Sequence, residues 1–149
     1  MKRHTIQKIY LDTNVLINYC TGQTKEREAL EYLFRTRRKE VLFTSSLALV
    51  QTITNLQTKK KARRAYNKEE TSKLIDGLLP KMTVLDLTAA DVTKGETYPN
   101  TDIEDSIHYV LSQKHKCDAI VTNNVSDFIY FRDIEVLKPE KRLHSLKVK

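Results

Sequence analysis

Asp12, Gln51, Asp105, Thr122, Asn124 and Asp127 are the residues whose types and positions suit chemistry. Each falls where a predicted element ends or begins. Asp12 follows the apolar, β-prone run Ile9-Tyr10-Leu11 and opens a helix together with Thr13 and Asn14. Gln51 lies one turn inside the helix after the second strand, and Asp105 sits in the first turn of a later helix. Thr122, Asn124 and Asp127 follow the fourth strand. In a parallel sheet, carboxyl-ended strands and amino-ended helices share one edge, and open α/β folds bind ligands there. These oxygen-bearing groups are therefore expected to converge on one polar, largely acidic pocket. Each also has a purely structural use. Asp12, Thr13 and Asn14 are good helix caps, and Asp102, Glu104 and Asp105 suit a helix N-terminus electrostatically. Thr122-Asn123-Asn124 and Asp127 are turn formers, and Gln51 fits an ordinary half-exposed helix position.

The elements that must position these groups are readable from periodicity. A short helix is expected over Val15 to Thr21, broken near Gly22, and a stronger one over Glu26 to Lys39, where Ala29, Leu30, Leu33 and Phe34 recur at helical spacing. Arg35, Arg37, Arg38 and Lys39 crowd its end, where cations suit the helix dipole. Val41-Leu42-Phe43-Thr44 reads as a buried strand, after which Ser45 or Ser46 caps a helix through Leu47, Val50, Ile53, Thr54 and Leu56. Another helix starts at Asn67, carries Leu74, Ile75, Leu78 and Leu79 on one face, and stops at Pro80. Met82 to Leu87 is a third strand, Thr88 begins a short helix through Val92, and Gly95 to Asn100 reads as a loop. Thr101 at N-cap with Glu104 at N3 matches a capping box, opening a helix to about His115. Cys117 to Thr122 and Ile134 to Leu137 complete the strands. The alternation implies an α/β fold: one three-layer α/β/α domain over residues 1–149, with a mainly parallel sheet of four to five strands.

Composition narrows the function classes. The chain has 149 residues, 40% of them hydrophobic and 30% charged, as expected of a soluble domain with a real core. No apolar run approaches the roughly 20 residues needed to span a bilayer, so no membrane role is expected. The apolar segment after the basic start contains Asp12 and Asn14, which argues against a signal peptide. Cys20 and Cys117 lie far apart without metal-ligand spacing and read as buried free thiols of a reducing cytoplasm. Lys and Arg outnumber Asp and Glu by 26 to 19, a net charge of +7 that favours a polyanionic partner or simply keeps the chain soluble. The densest basic run is Lys59, Lys60, Lys61, Arg63 and Arg64, with Tyr66 beside it, a candidate RNA-contacting surface and equally a solvated helix end.

Four stretches, in order, resemble the PIN-domain family of metal-dependent ribonucleases, which includes the VapC-like toxins. They are Ile9 to Ile17, Thr44 to Gln51, Asp102 to Ile107, and Asp118 to Phe128. The resemblance implies a PIN-type fold and hydrolysis of RNA phosphodiesters with Mg²⁺ or Mn²⁺ as cofactor. Hard divalent ions take oxygen ligands and keep several waters, and such an ion makes a bound water acidic enough to attack phosphorus. By resemblance Asp12 and Asp105 are principal ligands, Asp127 a third, and Asn124 stands where many members carry an acid. Thr122 and Asn14 orient ligands or water. Gln51 occupies the place of the family's usual glutamate. It offers an oxygen without a charge and cannot act as a general base. The resemblance further implies a cytoplasmic toxin neutralised by an antitoxin protein, and a homodimer formed through the apolar helix faces before Pro80.

Two rival readings use the same residues. Gln51 and Asn124 in place of acids would suit a PIN-fold RNA- or protein-binding module with weak or no nuclease activity. A phospho-receiver domain would use Asp86, Thr122 and Lys138-Pro139, but it needs adjacent acids after the first strand, where Asp12 is flanked by Leu11 and Thr13. No GxGxxG, P-loop or GxSxG pattern is present.

Overall fold

Alternation along the first strand decides the layering. In β1 (Ile9–Leu11), Ile9 and Leu11 face one apolar core and Tyr10 faces another. Leu42 and Phe43 of β2 (Leu42–Ser45) divide the same way, as do Ala119 and Val121 against Ile120 in β4 (Ala119–Val121). A sheet buried on both faces needs helices on both faces. The computed structural model, which describes residues 7–58, 64–99 and 102–140, supplies them. On the Ile9/Leu11 side lie α1 (Thr13–Cys20), α2 (Thr24–Thr36), α3 (Ser46–Thr58) and α4 (Lys68–Leu78). On the Tyr10 side lie α5 (Ala89–Glu96) and α6 (Ile103–Lys114). With β3 (Thr83–Leu85) and β5 (Glu135–Leu137) the sheet has five strands, all parallel, in the order β3-β2-β1-β4-β5. Among the described residues no helix is long and apolar enough to cross a membrane.

This order places a reversal beside β1. The chain steps outward from β1 through β2 to β3, then returns to lay β4 on the other side of β1. Outside the carboxyl ends of β1 and β4 the following connections part, which leaves the crevice where doubly wound sheets bind ligands. Asp12 leaves β1 and Thr122 leaves β4 at that point.

Three local expectations give way to tertiary structure. Helix α2 stops at Thr36, not Lys39: Arg37 is extended (φ −117°, ψ 143°), and Val41 N–H donates to the Arg38 carbonyl, turning the chain into β2. The Arg37-Arg38-Lys39 cluster is therefore a connection and not a final helical turn. Gly95 belongs to α5 and not to a loop, and α6 packs so closely there that a Cβ would meet Ile107 Cγ1 at 2.6 Å. Finally, α6 is capped by Asp102, whose side chain accepts from the Asp105 N–H at 3.2 Å; the Thr101 of the expected capping box lies outside the described residues. Cys20 and Cys117 are free and buried, as expected.

Candidate active site

Asp12 is held from three directions. Its carboxylate accepts from Thr13 N–H at 2.8 Å, from Asn14 Nδ2 at 2.9 Å and from Thr122 Oγ at 2.8 Å, and the residue is only 5% exposed. The first donor is the cap of α1, so the capping role and a functional role are not exclusive. Thr122 Oγ in turn accepts from Asn14 Nδ2 and from the Asn124 backbone N–H, both at 3.0 Å. Behind this group, Asn14 Oδ1 accepts from Asn123 N–H at 2.9 Å. The Asn123 side chain reaches the buried carboxylate of Glu26 at 2.7 Å, tying the β4 turn to α2. Three donors on a buried carboxylate fix its direction and strengthen one another in a low dielectric.

A second polar chain runs through the Tyr10 side of the sheet. Ser45 Oγ accepts from Ala48 N–H at 3.1 Å and meets Tyr10 Oη at 2.7 Å; Tyr10 Oη meets His108 Nδ1 at 2.7 Å; His108 Nε2 meets Gln51 Oε1 at 2.8 Å. Gln51 Oε1 also accepts from Thr13 Oγ at 2.6 Å, while Gln51 Nε2 donates to Glu104 Oε1. Directions follow from the end of the chain. Since the Gln51 amide nitrogen faces a carboxylate, its oxygen faces His108, which must donate through Nε2–H. Burial lowers the His108 pKa below the usual histidine value, against the opposing pull of the Asp12, Glu104 and Asp102 charges, so the ring is neutral. Nδ1 then accepts from Tyr10 Oη, and Tyr10 from Ser45. His108 Nε2 lies 3.7 Å from Asp12 Oδ1, a contact of a neutral ring with a carboxylate and not an ion pair.

Both chains end on one cavity of about 370 Å³, lined by Asp12, Thr13, Asn14, Gln51, Asp105 and His108, with Asp102 and Glu104 also on its wall. Asp105 is half-buried there, and burial, together with the charges of Asp102, Asp127, Asp12 and Glu104, pushes its carboxyl up to about 7. Burial is the larger cause, and the neighbouring carboxylates add a negative potential of the kind that attracts a cation.

Residues 9–133 match the family model of the PIN domain. This chain belongs to the PIN-domain family. Solved PIN structures share its fold. The toxin–antitoxin complex from Klebsiella pneumoniae is 16% identical, aligns over 89% of this chain and 98% of that chain, and gives a TM-score of 0.64. VapBC-1 from nontypeable Haemophilus influenzae is 16% identical over 89% and 98%, with a TM-score of 0.65. VapC20 from Mycobacterium tuberculosis, described as a sarcin-ricin loop cleaving toxin, is 13% identical over 76% and 87%, with a TM-score of 0.57. Among proteins of curated function none matches this chain.

Within this PIN domain the structure brings Asp12, Asn14, Gln51 and Asp105 onto one cavity, with Thr122 behind Asp12. Asp127 and Asn124 do not line that cavity. Asp127 is exposed on a short 3-10 turn, Val125–Phe128, which ends in the buried Phe128, and its charge raises the Asp105 carboxyl more than that of Asp12 does. Asn124 is exposed and serves through its backbone N–H. Among the described residues no three of His, Cys, Asp or Glu are grouped closely enough to hold a metal. Of the basic run, Arg64 is committed elsewhere: its guanidinium bridges Glu70 at 2.8 and 3.1 Å and lies 4.2 Å from the Tyr66 ring centroid. Lys59, Lys60, Lys61 and Arg63 lie outside the described residues. Sequence reasoning missed His108 and Tyr10. The available signal was spacing, since His108 follows Asp105 by one helical step of three on α6.

Proposed function

We propose that this PIN domain is a divalent-metal-dependent endoribonuclease of the toxin type, inhibited in its cell by an antitoxin protein. The observation that carries this is the pairing of Asp12 and Asp105 on one acidic cavity at the strand-order reversal. The donor set fits a hard cation: the carboxylates of Asp12 and Asp105 line the cavity together with those of Asp102 and Glu104, no thiol lines it, and both His108 nitrogens are occupied. Two carboxylates without a closed cage suit Mg²⁺ or Mn²⁺, which keep waters and share substrate phosphate oxygens. Asp12 and Asp105 are the residues that would hold the ion, which when bound supplies a water acidic enough to attack phosphorus. Asp12 needs no reorientation for that task, because Thr13, Asn14 and Thr122 already aim it. The resemblance to toxins solved with antitoxins supports the antitoxin partner, and the net charge of +7 supports an RNA substrate.

The test is cleavage of mixed RNA with Mg²⁺ or Mn²⁺, comparing wild type with Asp105→Asn and Asp12→Asn. Loss of cleavage in both variants, with the fold retained by circular dichroism, is expected. Equal activity in all three proteins would remove the catalytic assignment. A second reading, an RNA- or protein-binding module, is favoured by one observation: Gln51 Oε1 is taken up by Thr13 and His108 and is not free to ligate an ion. Mn²⁺ titration separates the two, since a binding module has no need of the ion.

A further inference from the structure

Gln51 faces the cavity but does not offer it an oxygen. Oε1 accepts from Thr13 Oγ and His108 Nε2 while Nε2 faces the Glu104 carboxylate; a flip would set the amide oxygen against that carboxylate, so its orientation is locked. The locked amide projects Nε2–H onto Glu104, a residue of another element, 53 positions away in sequence. Glu104 is exposed at the start of α6 and lines the same cavity as Asp12 and Asp105. A free glutamate beside Asp102 and Asp105 would swing toward solvent, driven by like-charge repulsion and by the rotamer freedom of a long side chain. The hydrogen bond from Gln51 opposes both.

We propose that Glu104, tethered by Gln51 Nε2, is an outer carboxylate of the cation site, acting on the water shell of an ion held by Asp12 and Asp105. Gln51 is then a positioning residue. This rests on the nuclease reading above and deepens it. The amide at position 51 is not a lost ligand but half of a carboxylate–amide pair whose charge sits on α6. A glutamate at position 51 would set two carboxylates against each other and push Glu104 out of the cavity. Outer groups of this kind typically change metal affinity by roughly 10- to 100-fold.

The experiment is Mn²⁺ titration of the full chain at pH 7.5 without RNA, read by electron paramagnetic resonance of the free ion. Glu104→Gln is expected to weaken binding about tenfold, and Gln51→Glu is expected not to tighten it. Combining Gln51→Leu with Glu104→Gln should give no greater loss than Glu104→Gln alone, because the tether has nothing left to hold. Glu104 is exposed, so Glu104→Gln keeps the fold even if Gln51→Leu does not. Wild-type affinity in Glu104→Gln, or tighter binding in Gln51→Glu, overturns this inference while leaving the nuclease reading intact. Failure of the wild type to bind Mn²⁺, or Asp12→Asn binding like wild type, overturns both.

Discussion

Thr122 Oγ donates to Asp12 Oδ2 across 2.8 Å, joining the ends of β4 and β1 where the strand order reverses. The bond is the only side-chain donor to Asp12 that comes from outside its own turn among the described contacts, so it links aim of the carboxylate to closure of the sheet edge. Thr122→Val keeps the shape, removes this donor, and strips Asn14 Nδ2 and the Asn124 N–H of an acceptor. A loss of about 2 kcal/mol is expected, since buried bonds to charged groups sit at the upper end of hydrogen-bond energies. Urea denaturation checks the stability. Mn²⁺ affinity should fall with it, and a variant as stable as wild type would show that Thr122 does not hold Asp12.

Gly95 sets the distance between α5 and α6, and thereby the placement of Asp105 and His108. In an exposed helix interior, glycine to alanine is stabilising by roughly 0.5–1 kcal/mol. Here the added Cβ meets Ile107 Cγ1 at 2.6 Å and the Ile107 backbone N at 3.3 Å. The side chain can give way and the backbone cannot, so overpacking of about 1–3 kcal/mol outweighs the propensity gain. Gly95→Ala is expected to lower the denaturation midpoint. A raised midpoint would mean that α6 slides freely.

Much of the fold was legible because alternation is a local property. Ile9-Tyr10-Leu11 and Ala119-Ile120-Val121 each announce a strand buried on both faces, and the helices between them imply parallel pairing. What was not legible depended on neighbours distant in sequence. The end of α2 is set by the turn into β2, and the need for a glycine at position 95 by Ile107 across the α5–α6 contact. The acids of the site could be named from the sequence, with Asp12 and Asp105 as principal ligands and Asp127 as a third. In the fold Asp127 is exposed on the turn that ends in the buried Phe128, and it does not line the cavity. His108 read as one more residue of an apolar helix, since its value lies in partners from β1 and α3.

The raised pKa of Asp105 has a stability consequence of definite sign. Its carboxyl titrates at about 7 in the fold against an ordinary value near 3.8. Between those values the folded chain binds more protons than the unfolded chain, so this group lowers stability as pH rises through the window. His108 acts oppositely: its pKa is lowered, so its contribution is lost as pH falls below the usual histidine value. The two offset each other in the wild type, and a variant separates them. In EDTA, Asp105→Asn should melt above wild type at pH 8, with the gap shrinking toward pH 5. A gap independent of pH would show that Asp105 titrates normally.

The neutral state and tautomer of His108 follow from its neighbours and can be observed directly. Gln51 Nε2 must face Glu104, so Gln51 Oε1 must face His108, and the proton sits on Nε2. Nδ1 is then a bare acceptor for Tyr10 Oη at 2.7 Å, inside a pocket where burial also raises the Tyr10 pKa well above the usual phenol. Nitrogen-15 NMR should show a pyridine-type Nδ1 and a protonated Nε2 at pH 7. Tyr10→Phe removes the only donor to Nδ1 among the described contacts and leaves a buried acceptor unpaired, at a cost of about 1–3 kcal/mol. Because Tyr10 Oη bonds to Ser45 and His108 and to neither Asp12 nor Asp105, Mn²⁺ affinity should stay near wild type while stability drops. A doubly protonated ring at pH 7 would instead make the 3.7 Å approach to Asp12 an ion pair, and Nδ1–H would donate to Tyr10 Oη and Tyr10 to Ser45 Oγ, with Nε2–H still donating to Gln51 Oε1.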